Sequence, residues 1–482
     1  MRFFASYPMP RENLFRNLSP LDHRYYLANQ PLFERLADLL SEEAAVRQYV
    51  HVEAVLLKHL VRHLLPDDSR RVELLQEVEA LPGRVPVEEV YREEETTRHN
   101  VRAVVNVVQR YLPEGVRHLV HLGATSVDIL DTAASMRYRD VSHHVVVPLL
   151  KKLQEHLIEL TEREADTVSI GRTHGQYAVP ITVGFALAEY VARLGDSIPR
   201  ITAAADGLRG KLAGAVGAYN ATSVLHPDPE ELERQVLDEL GLRPGEHATQ
   251  IVSPEPLLRL LLEMNVAFGV IANLADDLRH LQRSEIGEFS EYFAAGQVGS
   301  STMPHKRNPW NAEHVKSLWK AFAPRAMTWF MDQISEHQRD LSNSASGRFV
   351  VEYIAGFVAA AERMRSIVER LRVDREGIER NLADGSRRIV AEPLYILLAA
   401  GGVADAHERV RRLTLEAEER DRTVLELARE DHELWDTVTA TYRRLTGADP
   451  EYFFSDPRRY AGRAAERTRK ICDFHRRKLS EK

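Results

Sequence analysis

The stretch Pro254–Leu278, PEPLLRLLLEMNVAFGVIANLADDL, decides the fold class. Leu257, Leu261, Met264, Phe268, Ile271, Leu274 and Leu278 recur three or four positions apart, so they share one face of a helix. Val350, Tyr353, Phe357, Ala360, Met364, Ile367 and Leu371 repeat the pattern. So do Leu149, Leu153, Leu157 and Leu160, which follow Pro148, a residue suited to a first helical turn. Seams of about three heptads require long helices packed at a shallow angle. Almost nothing reads as sheet. The expected fold is therefore all-α, built on a long central helical bundle. Seams of this length suit partner helices from other subunits as well as a large bundle within one chain.

Outward from these seams the punctuation changes. The segment up to Leu112 reads as a smaller helical unit closed by Pro113 and Gly115, and beyond Val373 helices shorten and glycine turns appear at Gly401–Gly402 and Gly447–Asp449. The expected domains are 1–115, 116–372 and 373–482, all helical. With 482 residues, about three domains is also what length alone suggests. The composition, 44% hydrophobic and 28% charged, excludes disorder over most of the chain. The net charge of −8 argues against a protein that coats nucleic acid or anionic membrane. A basic run over 457–482, ten Lys/Arg against three acids, reads as a solvated terminal helix. The single cysteine, Cys472, forms neither an internal disulfide nor a thiolate zinc cluster. The apolar patch near Arg2 is broken by Pro8 and Pro10 and is too short for a signal peptide, and no run of about 18 apolar residues occurs. The expectation is a soluble, cytoplasmic protein without membrane or nucleic-acid partners.

In a bundle protein, chemistry belongs in the polar, glycine-containing segments between long helices. The most informative runs from Gly296 to Glu313, GQVGSSTMPHKRNPWNAE. Gly296 and Gly299 permit loop movement, Ser300 and Ser301 offer hydroxyls, and Lys306 and Arg307 supply fixed positive charge for an anion. No GxxxxGK[ST] or GxGxxG pattern occurs here, and neither HExxH nor zinc-type Cys/His spacing is found, so no cofactor and no metal is expected.

The segment Gly299–Pro309 resembles the mobile signature loop of the fumarase/aspartase superfamily, in the form carried by its purine-pathway branch. Four further segments match in order: Arg98–His99 with Val101, His121–Asp128 (HLGATSVD), Arg172–Gln176 (RTHGQ) and Arg339–Arg348 (RDLSNSASGR). Ser19–Tyr25 (SPLDHRY) is similar to that branch's phosphate-contacting stretch, and the likeness spans residues 19 to 410. The resemblance implies a homotetramer whose central helices pool into one core, with active sites shared between subunits. It also implies β-elimination of fumarate from a succinyl nucleotide.

That reaction needs a base for an unactivated C–H, a cationic pocket for the carbanion and an acid for the leaving nitrogen. By resemblance Ser301 is the base and His174 the general acid. A serine alkoxide needs stabilisation, which gives Lys306 and the loop N–H groups a physical task. Also by resemblance, Arg98, His99, Asn100 and His121 contact substrate, Thr125 and Ser126 hold a succinyl carboxylate, and Lys306 with Asn308 holds the same moiety. Gln250 meets the base or the succinyl group, Arg24, Tyr25 and Arg348 meet the phosphate, and Glu313 is the acid that partners a histidine. One position departs from the pattern: Asn100 stands where the branch carries aspartate, keeping the shape but losing the charge. Two other readings remain open at this point. One is a superfamily lyase or carboxymuconate cycloisomerase-like enzyme acting on a different succinyl adduct. The other is a helical scaffold without catalysis, which has no use for His, Ser and Lys gathered in polar loops.

Overall fold

The structure is a computed structural model, described here for residues 14–65, 69–294, 296, 299–338, 340 and 342–480. The patch around Arg2, Gln297 and Val298 of the glycine loop, Arg339 and Leu341 of the fourth motif, and Lys482 lie outside the described residues. The fold is mostly helical, with a few short strands. The chain forms two compact units: one holds residues 1–151, 196–269 and 317–362, the other 152–195, 270–316 and 363–482. The chain passes between units five times, each time inside a helix: Val147–Arg163, Val183–Asp206, Glu255–Leu281, Trp310–Phe322 and Val350–Arg370. The boundaries expected near 115 and 372 fall within the first and second unit respectively.

The first unit has a core of branched aliphatics. Val52, Leu57, Leu60 and Val61 of the Glu42–Leu64 helix pack with Val104, Val107 and Val108 of Asn100–Arg110, Ile129 and Ala133 of Ser126–Val141, and Val236 and Leu237 of Pro229–Glu239. The seams meet as their spacing requires. Phe268 and Phe357 stack edge to face at 5.3 Å, and Trp329 packs on Tyr353 at 5.1 Å. The Tyr353 hydroxyl, fully buried, donates toward Leu261 O (3.3 Å) and Asn265 Oδ1 (3.2 Å). The helix Glu255–Leu281 is long and apolar enough by length and composition to cross a bilayer, but 56% of its most apolar window is buried inside the chain.

Pro148 shows why one helix runs on where a start was expected. It stands second in Val147–Arg163, but the preceding turn, Ser142–Val146, is a π-turn continuous with Ser126–Val141. Proline cannot donate to the carbonyl four residues back. That carbonyl, His144 O, receives the Arg35 guanidinium instead, while Val147 N–H reaches back five residues to Ser142 O. Leu149, Leu153, Leu157 and Leu160 are all buried.

The second unit contains an antiparallel hairpin, Val168–Thr173 with Gln176–Thr182, that the helical reading did not anticipate. It also contains a helical cluster around Leu394, Leu398, Val424, Leu434 and Val438. The basic terminal helix, Ala464–Ser480, is not wholly solvated. It buries Thr468, Cys472 and His475, and its Arg469 and Arg476 pair with Asp166 and Glu162. Burial pushes the Cys472 thiol up to about 12, which leaves it unreactive at neutral pH.

The most costly element of the first unit is an ion pair. Lys211 and Asp128 are fully buried and joined Nζ to Oδ1, and Lys211 also donates to Gly214 O at 3.1 Å. Removing one partner strands a charge in the core. Lys211→Met should lower stability by about 3–5 kcal/mol, read as a fall in the urea midpoint, and adding Asp128→Asn should restore part of that loss.

Candidate active site

The ion pair lies directly beneath the second motif. Asp128 accepts the Thr125 N–H at 2.8 Å and the Gly214 N–H at 3.2 Å while holding Lys211. These bonds fix the turn that opens the Ser126–Val141 helix. Thr125 is its N-cap and Ser126 its first residue, where backbone N–H groups and the helix dipole favour an anion. At the start of the turn His121 takes left-handed backbone, φ 62°. Its Nδ1 lies 2.6 Å from Oε1 of Glu53, a buried acid in the middle of Glu42–Leu64. Burial, the largest influence on this imidazole, pushes its pKa down. The Glu53 hydrogen bond and charge, helped by Asp128, outweigh burial, so the net direction is up.

The first motif caps two helices. Arg98, also left-handed at φ 53°, ends Val87–Thr97 and donates its N–H to Glu94 O at 2.8 Å. His99 is the N-cap of Asn100–Arg110, its Nδ1 accepting the Arg102 N–H at 3.2 Å. The ring proton of the neutral form is thereby placed on Nε2. Asn100 Oδ1 accepts the Val101 N–H at 2.8 Å, an acceptor task that an amide performs as well as a carboxylate. Arg24 is exposed at the head of Arg24–Ala28 with half-buried Tyr25 beside it, and Arg348 is exposed at the end of Ser344–Arg348. Gln250 is half-buried, and its backbone N–H donates to Gln338 O at 3.4 Å.

The second unit carries the groups expected to do the chemistry. His174 and Gly175 are the whole loop of the hairpin, with φ 53° and 73°. Two successive positive φ values make the primed turn that matches strand twist, and glycine supplies the second at no cost. His174 is thus displayed at a hairpin tip, exposed, rather than held in a core. Arg172 anchors the hairpin: it pairs with Glu288 at 2.7 Å and lies 5.2 Å from the Tyr177 ring centroid. Glu288, itself buried, also accepts Asn381 Nδ2 at 2.8 Å.

The glycine loop is tied at both feet. Glu291, buried, accepts Asn311 Nδ2 (2.8 Å) through Oε2 and the Ala312 N–H (2.7 Å) through Oε1, which also caps the Trp310–Phe322 helix. Gln282 accepts the Glu291 N–H (2.8 Å) and donates to Arg307 O (3.2 Å). Within the loop Asn308 Nδ2 donates to Gly299 O at 3.2 Å. The two serines differ. Ser300 Oγ accepts the N–H groups of Thr302 (3.4 Å) and Met303 (3.1 Å), so it holds the loop's shape. Ser301 is exposed, and its hydroxyl has no hydrogen-bond partner among the described residues. The Lys306 ammonium, also exposed, meets no carboxylate among them.

The geometry therefore brings Ser301, Lys306 and Asn308 into one loop, and His121, Thr125 and Ser126 into one turn. No hydrogen bond among the described residues joins His174 to Ser301. Glu313, exposed in the first turn of Trp310–Phe322, has no charged partner among them, and the acid bonded to His121 is Glu53. Sequence reasoning missed Glu53, Lys211, Gln282, Glu288 and Glu291. Of these only Glu53 left a signal: it interrupts the buried stripe Val46, Val50, Leu57, Leu60 at helical spacing.

A family profile for lyases matches residues 72–320, which places this long-helix chain in the lyase class. A second profile, adenylosuccinate lyase C-terminal, matches residues 335–451. The adenylosuccinate lyase of Pyrococcus abyssi is 34% identical over 94% of this chain and 97% of its own length. That of Archaeoglobus fulgidus is 30% identical over 94% of this chain and 97% of its own. The chain belongs to the adenylosuccinate lyase family. Among solved structures, the 3-carboxy-cis,cis-muconate lactonizing enzyme of Pseudomonas putida shares the fold. Its TM-score is 0.76 at 23% identity, covering 93% of this chain and 98% of that one.

Gly299 offers a direct test of the loop. A methyl group there would stand 2.3 Å from Lys306 O. Gly299→Ala should cost about 10²-fold in kcat by displacing the loop by roughly an ångström, with an unchanged Tm. Unchanged kcat would show that the close approach is dispensable.

Proposed function

We propose the following chemistry for this chain, a fumarate-releasing lyase of purine metabolism. The substrates are adenylosuccinate, giving AMP, and the corresponding succinyl-aminoimidazole-carboxamide ribotide. Ser301 as alkoxide removes a proton from the carbon beside a succinyl carboxylate. The electron pair closes the fumarate double bond as the C–N bond breaks, and His174 delivers a proton to the departing nitrogen. Thr125 and Ser126 hold one carboxylate at a helix N-terminus, and Lys306 with Asn308 receives the other and offsets charge on the carbanion. Arg24, Tyr25 and Arg348 take the phosphate, Gln250 the base or succinyl group, and Arg98, His99, Asn100 and His121 complete the pocket, with Glu313 as the acid that partners a histidine. The observation that carries the reading is the contrast between the serines: Ser300 is consumed by two backbone N–H groups and Ser301 is left uncommitted.

The working enzyme is a cytoplasmic homotetramer whose sites are completed by neighbouring subunits. Two features support this. His174 and Ser301, which must act on one substrate from opposite ends, are both exposed in the single chain. Large apolar side chains also face outward in the first unit: Val266 on Glu255–Leu281, and Met327, Phe330, Met331 and Ile334 in and after Ala326–Met331.

An absorbance assay with adenylosuccinate tests the activity. Ser301→Ala should lose at least ~10²-fold in kcat with the fold intact. A near-normal kcat in Ser301→Ala beside a silent Ser300→Ala would reverse the assignment. For the shared site, mixing inactive His174→Ala with inactive Ser301→Ala under subunit exchange should recover activity. No recovery, with exchange verified by mass, counts against it.

A further inference from the structure

Glu53 is an acid where the fold calls for an aliphatic. It sits on the apolar stripe of Glu42–Leu64, 1% exposed, among Val52, Val55, Leu56 and Leu57. Its Oε1 meets His121 Nδ1 at 2.6 Å, and its Oε2 is buried with no hydrogen-bond partner among the described residues. A buried carboxylate with one oxygen unsatisfied is costly, and a core position does not retain it for packing. The partner is unusual too. His121 keeps a left-handed backbone (φ 62°), and its side chain is 21% exposed, so one edge of the ring reaches Glu53 while the other has access to solvent.

We propose that Glu53 is a positioning residue acting through His121: its carboxylate accepts the Nδ1–H, fixes the ring, and presents Nε2–H outward as a cationic donor to an oxyanion of the substrate. This rests on the function proposed above. The charged groups around the ring are Glu53, Asp128 on Ser126–Val141 and Arg102 on Asn100–Arg110. Lys211, bonded to Asp128, is the next cation, and its charge is spent on that carboxylate. Arg102 opposes a charged imidazole and the two acids favour it, with Glu53 by far the better placed because it is bonded directly. The direction of the His121 pKa, upward, agrees with that balance. The sign follows: the imidazolium is present at low pH and persists above the ordinary histidine range, near pH 6.5, before it is lost as pH rises. His121 then serves as a standing positive charge and not as the acid that turns over.

The oxyanion belongs either to a carboxylate or to a phosphate, and fumarate and inorganic phosphate distinguish them as inhibitors of the intact enzyme. In the wild type, inhibition by one of the two, with phosphate corrected for its own change of charge over the range, should weaken at a pH above the ordinary histidine value. His121→Gln should abolish that dependence. In Glu53→Gln the weakening should begin at lower pH, with kcat/KM falling at least about tenfold more at pH 8 than at pH 6.5, and Glu53→Asp should retain much of the wild-type profile. If Glu53→Gln does not fold, Glu53→Asp decides: it should keep the wild-type form of the pH profile, and a profile matching that of His121→Gln overturns the proposal. Inhibition by both anions that weakens through pH 6.5 in the wild type, or a Glu53→Gln loss equal at every pH, overturns the proposal. A wild type that releases no fumarate sinks the functional reading instead. Thermal-shift binding of fumarate and phosphate across the same pH range then still tests Glu53.

Discussion

The helix start at Thr125–Ser126 in the first unit hangs on one buried charge pair. Asp128 does three tasks with two oxygens: it neutralises Lys211, receives the Thr125 N–H and receives the Gly214 N–H. A charge that deep costs least when both oxygens are bonded, so the pair dictates where the turn and the 211–214 segment must sit. The anion-favouring helix start at Thr125–Ser126 is a by-product of that demand. Its neighbour Glu233 likewise has both oxygens bonded, accepting the Leu212 N–H at 2.7 Å and the Tyr219 hydroxyl at 2.5 Å. Polar groups, not apolar packing, set the exact path of the chain here.

The second unit solves a different problem, how to hold reactive groups outside a core. A histidine on a two-residue hairpin loop has little backbone freedom even though it is exposed, because the strand pairing and the Arg172–Glu288–Asn381 network fix the strands beneath it. The serine loop is held differently, at its feet, by Glu291 and Gln282, leaving its interior to a few internal bonds. Anchored ends with a lightly bonded middle suit a segment that must close on a substrate and release a product.

Legibility in the sequence divided along physical lines. The long helices were readable because apolar residues at 3.6-residue spacing leave a mark about twenty residues long in each, and every residue of the 350–371 seam is buried. The hairpin was not, since His174–Gly175 is a weak turn signal beside Asn-Gly and Pro180 argues against a strand. The catalytic-type residues were readable from motif resemblance, and their local settings were not. Ser300 and Ser301 look alike in sequence and differ only once backbone N–H groups are placed. Lys211 and Glu291 are invisible because their partners, Asp128 and Asn311, are 83 and 20 residues away.

The left-handed backbone at Arg98, His121 and His174 sets a filter on variation. Asparagine, aspartate and glycine enter such positions readily, whereas valine, isoleucine or threonine would distort the turn before their chemistry mattered. Replacements at 121 and 174 are therefore screened twice, by conformation and then by proton affinity. A drifting lineage that lost the imidazoles would pass most easily through asparagine, retaining the shape of both turns. A chain with asparagine at these two sites would keep this architecture as an intact shell, free to bind anions at its helix starts without turning them over.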